Sequence, residues 1–190
     1  MTTTADLAEA GALFSAYRDR IYRYIRGMVH DPSEAEDLTQ DTFLRAYRHR
    51  ESLRDPNAVR GWLYRIATHV CLDRLRQRAP QLSIDGEEGA RRVEAIRSDS
   101  PSALDLAERA ETSACVQRCL DFLPDTHRAA ILLYEAHSLT TAQISELLGV
   151  SLATVKIRLH RARRRLQYVM ETGCAVSHSS SGVPCCEPKV

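Results

Sequence analysis

The run Leu152, Val155, Leu159, Ala162 and Leu166, spaced three, four, three and four, constrains this chain more than any other feature. Such spacing lays one apolar stripe along an α-helix and leaves the opposite face to solvent or to a partner. That opposite face carries Thr154, Arg158, Arg161 and Arg165 in the same rhythm, with Ser151 and Lys156 near its start. Residues 151–167 hold six cations and no acid. Just upstream, Thr140 with Gln143 fits a capping box and Leu139 with Ile144 a hydrophobic staple, so a helix should begin at Thr141. Gly149 can take the left-handed conformation that ends it, and Ser151 can cap the next helix. Helix, short glycine turn and helix make a helix-turn-helix, whose second helix suits the major groove, where arginine grips a guanine edge with two hydrogen bonds. The bland alternative is a solvated charged face. Cap, turn, stripe and acid-free face coincide within about 30 residues, and that coincidence favours duplex DNA.

The formal net charge of +1 conceals the segregation of charge. Residues 31–41 contain Asp31, Glu34, Glu36, Asp37 and Asp41 with no base, so the two ends of the chain should seek different partners. Ahead of them, Leu13, Phe14, Tyr17, Ile21, Ile25 and Met28 recur at helical spacing up to the His30-Asp31-Pro32 break. A second helix is expected from a Ser33 and Glu36 capping box, with Leu38, Phe43, Leu44 and Tyr47 supplying its apolar contacts. Residues 53–57 read as a loop, after which Trp62, Leu63, Ile66, Ala67, Val70, Leu72 and Leu75 carry a third helix toward Arg78.

The expected fold is therefore all-α, with two small helical domains joined by a flexible linker and followed by a short cysteine-rich tail. Residues 1–78 form the first domain and 79–103, rich in Pro, Gly, Ser and mixed charge, the linker. Residues 104–170 form the second domain, broken at Leu123-Pro124, and 171–190 a tail without regular structure.

The start, MTTTADLAEAG, lacks a basic residue before an apolar run, and no stretch of about 18 apolar residues occurs, so a cytoplasmic protein without membrane attachment is expected. Cysteines there should be reduced, and clustered ones read better as metal ligands or redox sensors than as structural disulfides. Cys174, His178, Cys185 and Cys186 place three thiols and an imidazole within 13 residues. Soft sulfur donors suit zinc, cadmium or copper, although the C-x3-H-x6-C-C spacing is not the common zinc-ribbon pattern. Cys115 and Cys119, four apart on one helical face, could complete such a site or serve as small buried hydrophobes. No phosphate loop, nucleophile motif or evident carboxylate pair is present, so no catalytic residue is assigned and an enzyme is not expected.

With these motifs in view, the sequence resembles a bacterial sigma factor of the extracytoplasmic-function (ECF) group within the sigma-70 family. The resemblance spans about residues 10–170. It rests on Asp31 to Phe43 (DPSEAEDLTQDTF), Arg60 to Ala67 (RGWLYRIA), Leu123-Pro124 and Ser151 to Arg163 (SLATVKIRLHRAR). It implies that Asp37, Leu38, Gln40, Asp41 and Phe43 dock on core RNA polymerase. It implies further that α-helical residues from Arg60 to Arg78 and the loop before them recognise and melt the minus-ten element, through Asn57, Arg60, Arg65, His69, Arg74 and Arg76, with Trp62 and Tyr64 as aromatic neighbours. His69 stands where better-known relatives often carry asparagine. The helix-turn-helix would read the minus-thirty-five element of promoter DNA. The Cys-Cys-Glu-Pro-Lys ending is similar to the metal-responsive, CorE-like members, implying gating by zinc, cadmium or copper, and an anti-sigma factor is a further partner to weigh. Two rivals stand beside this reading: a helix-turn-helix regulator acting without polymerase, and a metal-buffering or redox protein.

Overall fold

The computed structural model describes residues 4–29, 31–78, 115–178 and 184–188. The expected linker, 79–103, lies outside them.

Helix α1 spans Thr4–Met28 and buries Ile21, Ile25 and Met28 of the predicted stripe together with Tyr24, whereas Phe14 is exposed. Helix α2 spans Pro32–Arg48. Its cap is Asp31 and not Ser33: the Asp31 carboxylate accepts from the Glu34 backbone N–H at 2.8 Å, and Pro32 occupies the first turn, where a missing N–H costs nothing. The buried face of α2 also differs from expectation. Ala35, Thr39, Thr42 and Ala46 face the core, whereas Leu44 is 55% exposed. Small side chains let α2 lie close to its neighbours, and the buried hydroxyls of Thr39 and Thr42 donate to the carbonyls of Ala35 and Leu38 at 2.6 and 2.7 Å, so neither hydroxyl is stranded.

Two short 3-10 turns, Arg50–Ser52 and Pro56–Ala58, lead into α3, Val59–Arg78. Leu63, Tyr64, Ala67, Thr68, Val70 and Cys71 of α3 are buried. Trp62 is only partly covered and donates its indole N–H to Ser52 Oγ at 3.1 Å. Residues 115–121 form α4. Helix α5, Asp125–Ile131, runs on into a π turn, Leu132–Ala136, and Ser138 then adopts a left-handed φ of 52°. Helices α6, Thr141–Leu148, and α7, Leu152–Gly173, follow.

By packing, the chain divides into two compact units that do not follow chain order. One comprises Met1–Gln81 with Asp125–Leu159, the other Leu82–Pro124 with His160–Val190. In the first unit α5 and the π turn lie against α1: the buried Arg128 donates to the Met28 carbonyl at 2.9 Å. A methyl group at Gly27 would come within 2.9 Å of Leu132 Cδ1, so α1 is bare where the π turn presses on it. In the second unit Cys115, Cys119 and Val169 form a buried cluster with Leu166 against it.

The tail, expected to lack regular structure, contains two antiparallel strands, β1 (Cys174–His178) and β2 (Pro184–Pro188). The two strands pair along their facing edges, Cys174 opposite Pro188 and His178 opposite Pro184. Helices make up the rest of the regular structure among the described residues, as the all-α reading holds.

Candidate nucleic-acid interface

The turn between α6 and α7 follows the local chemistry of the sequence. Thr140 Oγ1 accepts from the Gln143 backbone N–H at 3.2 Å, and the Gln143 side chain accepts from the Thr140 N–H at 2.9 Å, completing the capping box. Leu139 and Ile144 are both buried. Gly149 ends α6 with φ 65° and donates its N–H to the Ser145 carbonyl. Ser151 Oγ then accepts from the Thr154 N–H at 3.1 Å and lies 2.8 Å from the Thr154 hydroxyl, which opens α7.

Helix α7 buries Val155, Leu159 and Ala162, with Leu166 half-buried. Leu152 departs from the expected stripe and is 42% exposed. The solvent face is accordingly rotated from the one read in sequence. Ala153, Lys156, Ile157, His160, Arg161, Arg164 and Arg165 are exposed, whereas Thr154 and Arg158 are only partly so. The Arg165 guanidinium stands 5.8 Å over the Tyr168 ring. Ile157, 51% exposed, was missed by the sequence reading, since it belongs neither to the apolar stripe nor to the cations.

The residues expected at the minus-ten element fare differently. Arg60 donates to the His137 carbonyl, and Arg65 to that of Glu146 at 2.6 Å. Tyr64 OH pairs with His137 Nδ1 at 2.8 Å, and the rings of Tyr24, Tyr64 and His137 pack at centroid distances of 5.0 to 5.6 Å. Burial, followed by the nearby Arg23, Arg60 and Arg20, lowers the His137 pKa to about 4, so the ring is neutral and its Nδ1 can accept from Tyr64. No sequence periodicity signals this association of residues more than 70 positions apart. Arg74, with Arg78, holds the buried Glu34 carboxylate, both at 2.7 Å. Arg76 reaches Asp73 at 3.3 Å, Asn57 bonds to Asp55, and His69 is exposed. Arg74 is thus a structural partner of α2, a role hidden from a reading that sees only its charge.

On α2, Asp37 and Gln40 are exposed, Leu38 and Phe43 half-buried, and Asp41 pairs with Arg45 at 2.9 Å. Phe43 meets Phe14 of α1 edge to face at 4.9 Å. Asp37, Leu38 and Asp41 line a cleft of about 520 Å³ between α2 and α3, whose floor includes Glu34 and Arg74.

Residues 13–81 match the Sigma-70 region 2 family and residues 113–166 the Sigma-70, region 4 family. The chain is similar to the ECF RNA polymerase sigma factor SigW of Bacillus subtilis, with 35% identity over 155 residues covering 80% of this chain and 83% of that one. The chain belongs to the ECF sigma factors of the sigma-70 family. Two solved structures share its fold: the sigma factor RpoE of Bartonella quintana in complex with the anti-sigma factor NepR, and CnrH in complex with the cytosolic domain of CnrY. The first has a TM-score of 0.61 at 22% identity and covers 83% of this chain and 94% of that chain. The second has a TM-score of 0.62 at 23% identity and covers 85% and 87%.

As a sigma factor the chain directs transcription initiation, and its two matched regions carry the two candidate surfaces just described. No helix among the described residues of this sigma factor is long and apolar enough to cross a membrane. Of the cysteines weighed as metal ligands, Cys115 is disulfide-bonded and Cys119 is a buried free thiol. A disulfide sulfur is not a thiolate ligand, so Cys115 in this state does not serve as one. The described residues contain no group of three or more His, Cys, Asp or Glu able to hold a metal. The side chains of Cys174, His178, Cys185 and Cys186 lie outside what the structure describes. Their backbone register is defined: Cys186 pairs with Val176, Cys185 with Ser177, Cys174 with Pro188 and His178 with Pro184.

Proposed function

We propose that this sigma factor reads the minus-thirty-five element with the exposed face of α7 while α2 docks on core RNA polymerase and α3 engages the minus-ten element. The observation that carries the proposal is the capped helix-turn-helix whose second helix has no acidic residue from Ser151 to Met170 and exposes Lys156, Arg161, Arg164 and Arg165. Opposed to it in charge, the acidic start of α2 suits a basic helical partner. Arg60 and Arg65 are spent on the carbonyls of His137 and Glu146, so their use on DNA calls for α3 to part from the α5–α6 segment. Since the two similar solved structures are complexes with partner proteins, one named as an anti-sigma factor, control by such a protein is part of the proposal.

The finer element is gating by zinc, cadmium or copper through the tail, supported by the density of soft donors there. The donors would be Cys174, His178, Cys185 and Cys186, with the cysteines in their reduced, thiolate-forming state. Run-off transcription with core polymerase, with and without each metal, tests both levels. Arg161→Ala should weaken promoter binding by about 1 to 3 kcal/mol and relax one base position. Unchanged affinity and base preference would remove α7 as the reader. Metal dependence that survives the Cys185→Ser, Cys186→Ser double variant would end the gating proposal.

A further inference from the structure

Ile157 is a β-branched aliphatic side chain, 51% exposed, on a face of α7 otherwise dominated by cations. The exposed half of that side chain gains nothing for the folded chain. Isoleucine is a poorer helix former than the lysine and arginine around it, and half its surface remains in water. One turn before it, at the i−4 position, stands the exposed Ala153, so the two form a short apolar strip along the helix. Lys156 precedes Ile157 directly, and His160 and Arg161 follow within a turn, all exposed.

This placement suits one occupant. Long cationic side chains beside the strip can reach phosphates and set the register of the helix in a groove. The shorter Ile157 and Ala153 side chains then approach the base edges, where the apolar feature of the major groove is the C5-methyl of thymine. An apolar protein surface fits the same strip poorly, because it would have to desolvate the flanking ammonium and guanidinium groups without pairing them. We propose that Ala153 and Ile157 are specificity-determining residues of this sigma factor, reading thymine methyl groups in the minus-thirty-five element. The inference rests on the assignment of α7 as the reader of that element.

The test replaces thymine by deoxyuracil, which removes the methyl and leaves every hydrogen-bonding group in place. A duplex is first selected with the full chain and core polymerase, and each thymine in the minus-thirty-five half is then exchanged singly. The wild type should lose roughly fourfold in affinity at one or two positions, the effect of withdrawing one methyl from an apolar contact. Ile157→Ala should bind the thymine duplex more weakly by a similar factor and be indifferent to the exchange at the Ile157 position. Because Ile157 is exposed, the variant should fold as the wild type does, which circular dichroism checks. Sequence-specific binding that tolerates deoxyuracil at every position would overturn the inference and leave the reading of α7 intact. An equal loss in wild type and Ile157→Ala would overturn it too. Absence of any specific duplex binding would instead defeat the assignment of α7, and this inference with it.

Discussion

Thr68→Val and Tyr24→Phe remove opposite ends of one buried hydrogen bond, and the structure predicts that they are not equivalent. Tyr24 is fully buried, and its hydroxyl lies 2.7 Å from Thr68 Oγ1. Thr68 Oγ1 spends its own hydrogen on the Tyr64 carbonyl, also at 2.7 Å, so the phenol must be the donor. Burial, foremost among the causes, raises the Tyr24 pKa and keeps that proton in place. Tyr24→Phe removes the donor and leaves Thr68 still bonded to Tyr64, at a cost of about 0.5 to 1.5 kcal/mol. Thr68→Val keeps the shape but strands a buried O–H, at about 1 to 3 kcal/mol. The double variant, with neither group stranded, should be less destabilised than the sum of the singles. Equilibrium urea unfolding of the three variants at neutral pH measures this, provided the slope against denaturant is unchanged. A Thr68→Val cost below that of Tyr24→Phe, or strict additivity, would refute the donor assignment.

His137 supplies a pH dependence. Its folded pKa of about 4 lies below the ordinary value of 6.5, so between those values the unfolded chain takes up a proton that the folded ring refuses. Stability should fall as pH drops from about 6.5 to 4 and gain no further loss from this group below that. Subtracting the urea midpoints of His137→Gln from those of the wild type across this range isolates the ring's share, and a flat difference would contradict a buried neutral imidazole. Gly149→Ala should destabilise the helix-turn-helix by about 1 kcal/mol, because φ of 65° is costly for a residue with a Cβ although space is open there. An unchanged thermal midpoint would show that the turn relaxes.

Local signals and tertiary packing contributed separately to what can be said of this sigma factor. The cap at Thr140, the glycine turn, the α7 stripe at Val155, Leu159 and Ala162, and the segregation of acid from base were all legible in sequence, because each arises from residues within a turn or two of one another. Periodicity could not tell that α2 turns Ala35, Thr39, Thr42 and Ala46 inward and Leu44 outward, since that depends on how closely its neighbours approach. Charge alone could not separate Arg74, committed to the buried Glu34, from Arg164, exposed on α7. Nor could it show that Arg60 and Arg65 meet the carbonyls of His137 and Glu146, or that Ile157 stands in solvent. Hydrogen bonds and burial between distant segments are properties of the packed chain. The sequence by itself determined which surfaces this protein could offer, and the tertiary structure decided which of their residues remain available to a partner.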